Sequence, residues 1–290
     1  MPEQRNSRKP SLVLKILRMA VLVYVGLAAV LAIGQRGFIY FPSQQSEALL
    51  AGIARKAGME PWRSASGELV GWKTVPREGA PETGNVAIAF HGNAGFALDR
   101  LYFVDCLRGL PGDPIHTVYL FEYPGYGARP GKPSEKAICR AAAEALDELT
   151  RDARTCVYLI GESLGSGVAC HLAAQHPDKV AGLFLATPFT SLGDVAKHHH
   201  PFMPVRLFLV EKYDNESALR NYAGPVAFLV AEEDEVVPAR LGVRLHDGYR
   251  GPKRLWVDEG SSHNTLMYIP TAPWWVAAWD FLLTGGTATP

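Results

Sequence analysis

Two arrangements of apolar residues divide the chain. The first is a single long run, 19–33. The second, from about residue 45 onward, alternates short apolar runs with segments that are apolar every three or four positions. Val86-Ala87-Ile88-Ala89-Phe90 is apolar throughout, as a strand covered on both faces of a parallel sheet is. Residues 115–121, 156–160, 180–186, 226–231 and 255–257 read the same way. Between them lie helical patterns at 97–109, 134–150, 166–176 and 240–249, and another after Pro270. The clearest is 134–150: Pro133 precedes it, Ser134 is placed to cap it, and Ile138, Ala142, Ala145, Leu146 and Leu149 form one apolar face. Upstream, 45–57 suits a short helix, 62–65 and 69–75 suit a hairpin around Ser66-Gly67-Glu68, and 76–85 is a polar loop. Strands alternating with helices predict an α/β fold, a doubly wound and mostly parallel sheet of about eight strands. The stretch 187–225 exceeds a plain crossover and predicts a small cap over the strand ends.

The run at 19–33 fits three roles. Extended through Ile16 and Leu17, with Lys15 and Arg18 snorkelling to the headgroups, it is long enough for a transmembrane anchor. The basic start and Val30-Leu31-Ala32 also fit a cleaved signal peptide, giving an exported protein. A buried helix is the third role. For an anchor, Arg5, Arg8, Lys9, Lys15 and Arg18 stand against Glu3 alone in the first 18 residues. That bias keeps the N-terminus cytoplasmic and puts the remaining chain across the membrane, single-pass. The division is then 1–34 for the basic N-terminus and anchor and 35–290 for the globular domain, with the cap at 187–225. Phe38-Ile39-Tyr40-Phe41-Pro42 either lies at the interface or tucks onto the domain.

Charge narrows the partners. Lys plus Arg total 29 and Asp plus Glu total 29, so no global field favours nucleic acid. Cys106, Cys139, Cys156 and Cys170 contain no C-x-x-C pair and fall in predicted strands or helices, which reads as buried free thiols rather than disulfides or a zinc site.

The chemistry centres on Gly161-Glu162-Ser163-Leu164-Gly165. A strand pattern precedes it and a helix pattern follows, so Ser163 should sit on a sharp turn with its hydroxyl exposed beside a helix N-terminus. A serine needs a base, and the base needs a group that fixes its tautomer. In the order serine, acid, histidine, only His246 and His263 follow an acid after 226–231. His246 falls inside a helix pattern; His263 falls in a loop, Gly260-Ser261-Ser262-His263-Asn264, after the last strand, and is the expected base. Asp234, at a turn after its strand, is the expected acid, with Asp194 the alternative and Asp258 too near His263 in one loop. Backbone N–H groups of Asn93, after the strand ending at Phe90, and of Leu164 are expected to form the oxyanion hole. His91 is expected to hold that turn. His198-His199-His200 cannot all face one ion from regular structure, and Gly125 and Gly127 lack the lysine and spacing of a phosphate loop, so no metal or cofactor is implied. Phe202, Met203 and Phe208, in an apolar cluster of the cap, are expected to line the substrate pocket.

Taken together, His91-Gly92-Asn93-Ala94-Gly95, Tyr123-Pro124-Gly125-Tyr126-Gly127, the Ser163 motif, Asp234-Glu235-Val236-Val237-Pro238 and Ser262-His263-Asn264 resemble the α/β-hydrolase superfamily. The apolar N-terminus and Tyr40-Phe41-Pro42-Ser43 resemble its membrane-anchored subgroup of protein depalmitoylases and bud-emergence-suppressor proteins. Ala231 and Pro124 depart from the glycine and arginine usual there. The resemblance implies a serine hydrolase of esters, thioesters or amides acting on a small or lipid-like acyl substrate. A peptidase, or a non-catalytic binding protein on the same fold, is the alternative.

Overall fold

The computed structural model describes residues 12–75 and 84–287; Arg5, Arg8, Lys9 and most of the predicted polar loop lie outside the described residues. Eight strands form one sheet: β1 (Met59–Arg63), β2 (Leu69–Thr74), β3 (Asn85–Phe90), β4 (Thr117–Phe121), β5 (Cys156–Glu162), β6 (Val180–Ala186), β7 (Val226–Ala231) and β8 (Lys253–Asp258). Their order across the sheet is β8-β7-β6-β5-β3-β4-β2-β1. β2 runs antiparallel to β1 and β4, and all other pairs are parallel. The chain steps outward from β3 to β4, then returns to lay β5 on the other side of β3. At such a reversal the loops leaving the two strand ends diverge, and a crevice opens between them.

The helices are α1 (Leu12–Ile39), α2 (Glu47–Lys56), α3 (Leu101–Arg108), α4 (Glu135–Leu149), α5 (Leu164–Gln175), α6 (Leu192–His199), α7 (Val205–Phe208), α8 (Asn215–Leu219), α9 (Ala239–Gly248) and α10 (Pro273–Leu283). Strand periodicity sends alternate side chains into two cores. Val86, Ile88 and Phe90 join Val157 and Leu159 against α4, α5 and α9. Ala87 and Ala89 join Tyr158 and Ile160 against α2, α3 and α10, where Trp275 and Trp279 are fully buried. The Ser134 hydroxyl caps α4 by accepting from Ala137 N–H at 3.1 Å.

Several elements differ from expectation. α1 is one unbroken helix of 28 residues, passing the predicted 34/35 division and reaching Ile39. It is about 42 Å long at 1.5 Å per residue, long and apolar enough to cross a membrane. Among its residues only Ala28 and Gln35 are buried. Tyr40 is buried, and Phe41-Pro42 pair in parallel with Ala94-Gly95. The helix expected at 97–109 splits into a 3-10 turn, Ala97–Arg100, and α3. Carboxylates impose the tight turn: Phe96 N–H donates to Asp99 and Ala97 N–H to Glu122. Cys156 is exposed rather than buried, because it opens β5 at the uncovered end of the strand. Cys106, Cys139 and Cys170 are buried free thiols, and burial pushes the Cys106 thiol up to about 12. The cap region holds α6, α7 and α8 between β6 and β7.

Candidate active site

Ser163 sits where β5 turns into α5, with φ 52° and ψ −116°, a region L-residues avoid. The flanking glycines make the turn possible. A Cβ on Gly161 would lie 2.6 Å from Ser166 Cα, and one on Gly165 would lie 2.1 Å from the Phe90 carbonyl oxygen. The strained residue is fixed on both sides: its N–H donates to Ala186 O at 2.9 Å, and its carbonyl accepts from Ser166 N–H at 2.9 Å and Ser166 Oγ at 2.7 Å. Glu162, just before it, accepts from Arg100 Nε at 2.7 Å and from the Tyr102 hydroxyl at 2.9 Å. Burial, then the Glu162 charge, holds the Tyr102 hydroxyl well above its ordinary pKa.

The loop after β3 lies beside the serine; a Cβ on Gly92 would be 3.7 Å from Ser163 Cβ. His91 is buried, and its Nδ1–H donates to the Gly92 carbonyl at 2.8 Å. In a trans peptide the N–H points opposite to the carbonyl, so this bond turns the Asn93 N–H the other way. The Asn93 carbonyl is held in turn by Phe41 N–H at 2.9 Å and the Tyr126 hydroxyl at 2.7 Å. His91 thus orders the turn, as expected.

Asp234 and His263 meet across the loops after β7 and β8. His263 Nδ1 lies 2.7 Å from Asp234 Oδ2, with the aspartate side chain 1% and the histidine 12% exposed. Asp234 Oδ1 accepts from Val236 N–H at 2.9 Å and Val237 N–H at 2.6 Å. Glu233 N–H to Ser261 O, at 2.9 Å, ties the two loops together. Among the described residues no hydrogen bond joins the Ser163 hydroxyl to His263; such bonds commonly tighten only once substrate is bound. Asp194 is engaged elsewhere, in the cap, by Thr190, Ser191 and Arg206. His246 pairs with Asp247. His198 faces Arg240 and His199 faces the Val236 carbonyl, while their rings pack edge to face with centroids 5.0 Å apart.

A cavity of about 370 Å³ stands over Ser163, with Asn93 and Leu164 in its lining. Of the three cap residues named above, Met203 and Phe208 line it; Phe202 does not and is 90% exposed. The larger surprise is the far wall. Ala28, Leu31, Ala32, Gln35, Phe38 and Ile39 of α1 line the same space. Their spacing of three and four places them on one helix face. Polar contacts lock this wall to the cap. Gln35 donates to Phe208 O at 3.2 Å and accepts from Val210 N–H at 2.6 Å. Buried Glu211 accepts from Arg36 Nε at 2.8 Å, from the Tyr40 hydroxyl at 2.6 Å and from Glu135 N–H at the start of α4. The Tyr213 hydroxyl lies 3.0 Å from that of Tyr40. Burial by itself raises the Glu211 pKa, but the bonds from Glu135, Tyr40 and Arg36 outweigh it, and the carboxyl titrates below its ordinary value.

Comparison with known proteins identifies the fold and the family. A family model described as the alpha/beta hydrolase fold matches residues 88–211. The uncharacterized protein Rv2307c of Mycobacterium tuberculosis is 34% identical over 263 residues, 87% of this chain and 88% of that one. Protein bem46 of Schizosaccharomyces pombe is 31% identical over 55% of this chain and 54% of its own. The lysophosphatidylserine lipase ABHD12 of Mus musculus is 29% identical over 64% of this chain and 50% of its own. Among solved structures, the Pyrococcus furiosus esterase Pf2001 superposes with a TM-score of 0.62 at 14% identity, over 85% of this chain and 98% of that one.

Proposed function

Because the chain belongs to the α/β-hydrolase superfamily, in its bud-emergence-suppressor subgroup, we propose that it is a membrane-anchored serine hydrolase of acyl esters or thioesters. The observation that carries this is Ser163, held at positive φ on the floor of an apolar cavity. In this reading the Ser163 hydroxyl attacks the acyl carbonyl while His263 Nε2 takes its proton. Asp234 accepts the Nδ1–H and stabilises the imidazolium. The N–H groups of Asn93 and Leu164 receive the oxyanion, the latter aided by the N-terminus of α5. The proton then passes to the leaving group, an acyl-enzyme remains, and water releases the acid by the same steps.

An apolar cavity suits an acyl chain, and the similarity to a lysophosphatidylserine lipase supports a lipid ester. The basic residues ahead of α1 support a cytoplasmic N-terminus with the hydrolase, from residue 35 with its cap at 187–225, on the far side. The wall that Ala28, Leu31 and Ala32 contribute, and the Tyr24 contact to the cap, support retention of the helix over its cleavage at Ala32. A fluorophosphonate probe should label the wild-type protein and not Ser163→Ala. Labelling that survives the substitution, or absence of labelling in folded wild type, overturns the assignment.

A further inference from the structure

We propose that the cavity over Ser163 opens into the bilayer, so that a lipid acyl chain passes sideways between α1 and the cap tip to reach the serine without crossing water. This rests on the anchored-hydrolase reading above. The length of α1 drives the inference. The Tyr24 hydroxyl donates to the Phe202 carbonyl at 3.1 Å, so the cap tip sits beside a point well within the helix. From Leu12 to Tyr24 the helix rises only about 18 Å, against about 30 Å of hydrocarbon. A spanning helix must therefore sink past Tyr24 and carry the cap tip with it. Counting about 20 residues from Arg18 puts the far boundary near Phe38, beside Arg36. Ala28, Leu31 and Ala32, which line the cavity, then lie at acyl-chain depth.

The cap surface agrees. Phe202 is 90% and Leu207 80% exposed, next to a helix that is itself exposed and apolar. Large apolar side chains left exposed beside an apolar helix fit contact with the same bilayer. Polar Gln35 and the Arg36–Glu211 pair come next along the helix, with Tyr40 just past its end, where the headgroups begin.

The test uses the full chain reconstituted in phosphatidylcholine vesicles. Leu207→Glu puts a charge on the exposed tip without touching the cavity lining. It should leave turnover of a water-soluble butyrate ester within twofold of wild type. Turnover of a long-chain monoacyl ester dissolved in the same vesicles should fall at least tenfold, and Leu207→Ala should restore most of it. Equal rates on the vesicle-borne ester, or an equal fall on both substrates, overturns the proposal. A dye on Phe202→Cys, in a Cys156→Ser background, should be quenched by lipids brominated on their acyl chains; an unquenched dye overturns it as well. The quenching reports cap depth even if the soluble ester is not turned over, so failure of the hydrolase reading is seen separately.

Discussion

Asp234→Asn changes one atom at the junction of three hydrogen bonds. Oδ1 accepts from Val236 N–H at 2.9 Å and Val237 N–H at 2.6 Å, while Oδ2 faces His263 Nδ1 at 2.7 Å. Two loop donors demand an acceptor, so the asparagine oxygen takes the Oδ1 place and its NH₂ group falls opposite the histidine. Two N–H donors cannot share 2.7 Å, and the ring relieves the clash by moving its proton to Nε2. The nitrogen left for Ser163 then has no lone pair to take the hydroxyl proton. A wrong tautomer in such an arrangement lowers kcat by about 10⁴-fold, about 5.5 kcal/mol of barrier. Because both loop bonds survive, the fold should persist, which a thermal melt beside the ester assay checks. Asp194→Asn is the control. Its carboxylate is committed to Thr190, Ser191 and Arg206, and its loss should cost less than about tenfold. A folded Asp234→Asn enzyme within tenfold of wild type, or an inactive Asp194→Asn, would refute the reasoning.

Three other outcomes follow from the geometry. Gly165→Ala drives a Cβ to 2.1 Å from the Phe90 carbonyl, so the elbow cannot close; near-UV circular dichroism should show loss of native packing, and native spectra would contradict it. Glu211→Gln turns an acceptor of three donors into a mixed group and leaves about one buried donor unsatisfied, with the Arg36 charge unpaired. At about 1–3 kcal/mol for such a group, the melting temperature should drop by roughly 2–6 °C at neutral pH. The folded pKa of Glu211 is depressed, so its contribution is complete above the ordinary glutamate value of about 4.3 and is lost as pH falls below it. The gap between wild type and variant should therefore close in acid, and a gap that widens there argues against the network. Ala32→Phe fills part of the cavity wall and should cost about fourfold in kcat/KM for each methylene displaced, at about 0.8 kcal/mol each. A series of esters of increasing chain length reads this directly, and an unchanged preference would remove α1 from the pocket.

The elbow was legible because its constraint is local. Gly161 and Gly165 make contacts that permit no Cβ, and a strand and a helix flank them at once. The loops bearing Asp234 and His263 could be placed because each follows a continuous apolar strand; chain order then left two histidines, and the helix pattern around His246 set that one aside. What stayed hidden depends on contacts distant in the chain. Glu211 carries no local pattern that marks it, yet it joins α1, α4 and the cap. The face of α1 that lines the cavity was masked by uniform apolarity, since lipid-facing and pocket-facing positions use the same residues. The outward position of Phe202 stayed hidden for a related reason: an apolar cluster does not say which member turns inward.

A single residue, Tyr40, separates the end of α1 from the pairing of Phe41 with Ala94, and the same Phe41 N–H holds the Asn93 carbonyl. The junction therefore acts as a keyed shaft, not as a tether. Each residue of an α-helix turns it by about 100°. One residue inserted before Phe41 rotates the face carrying Ala28, Leu31 and Ala32 out of the cavity, while every atom of the serine elbow stays in place. Homologues that keep this pocket are thus barred from length changes at one point of the chain, and a chimera that borrows a foreign helix must match its rotational phase as well as its hydrophobicity.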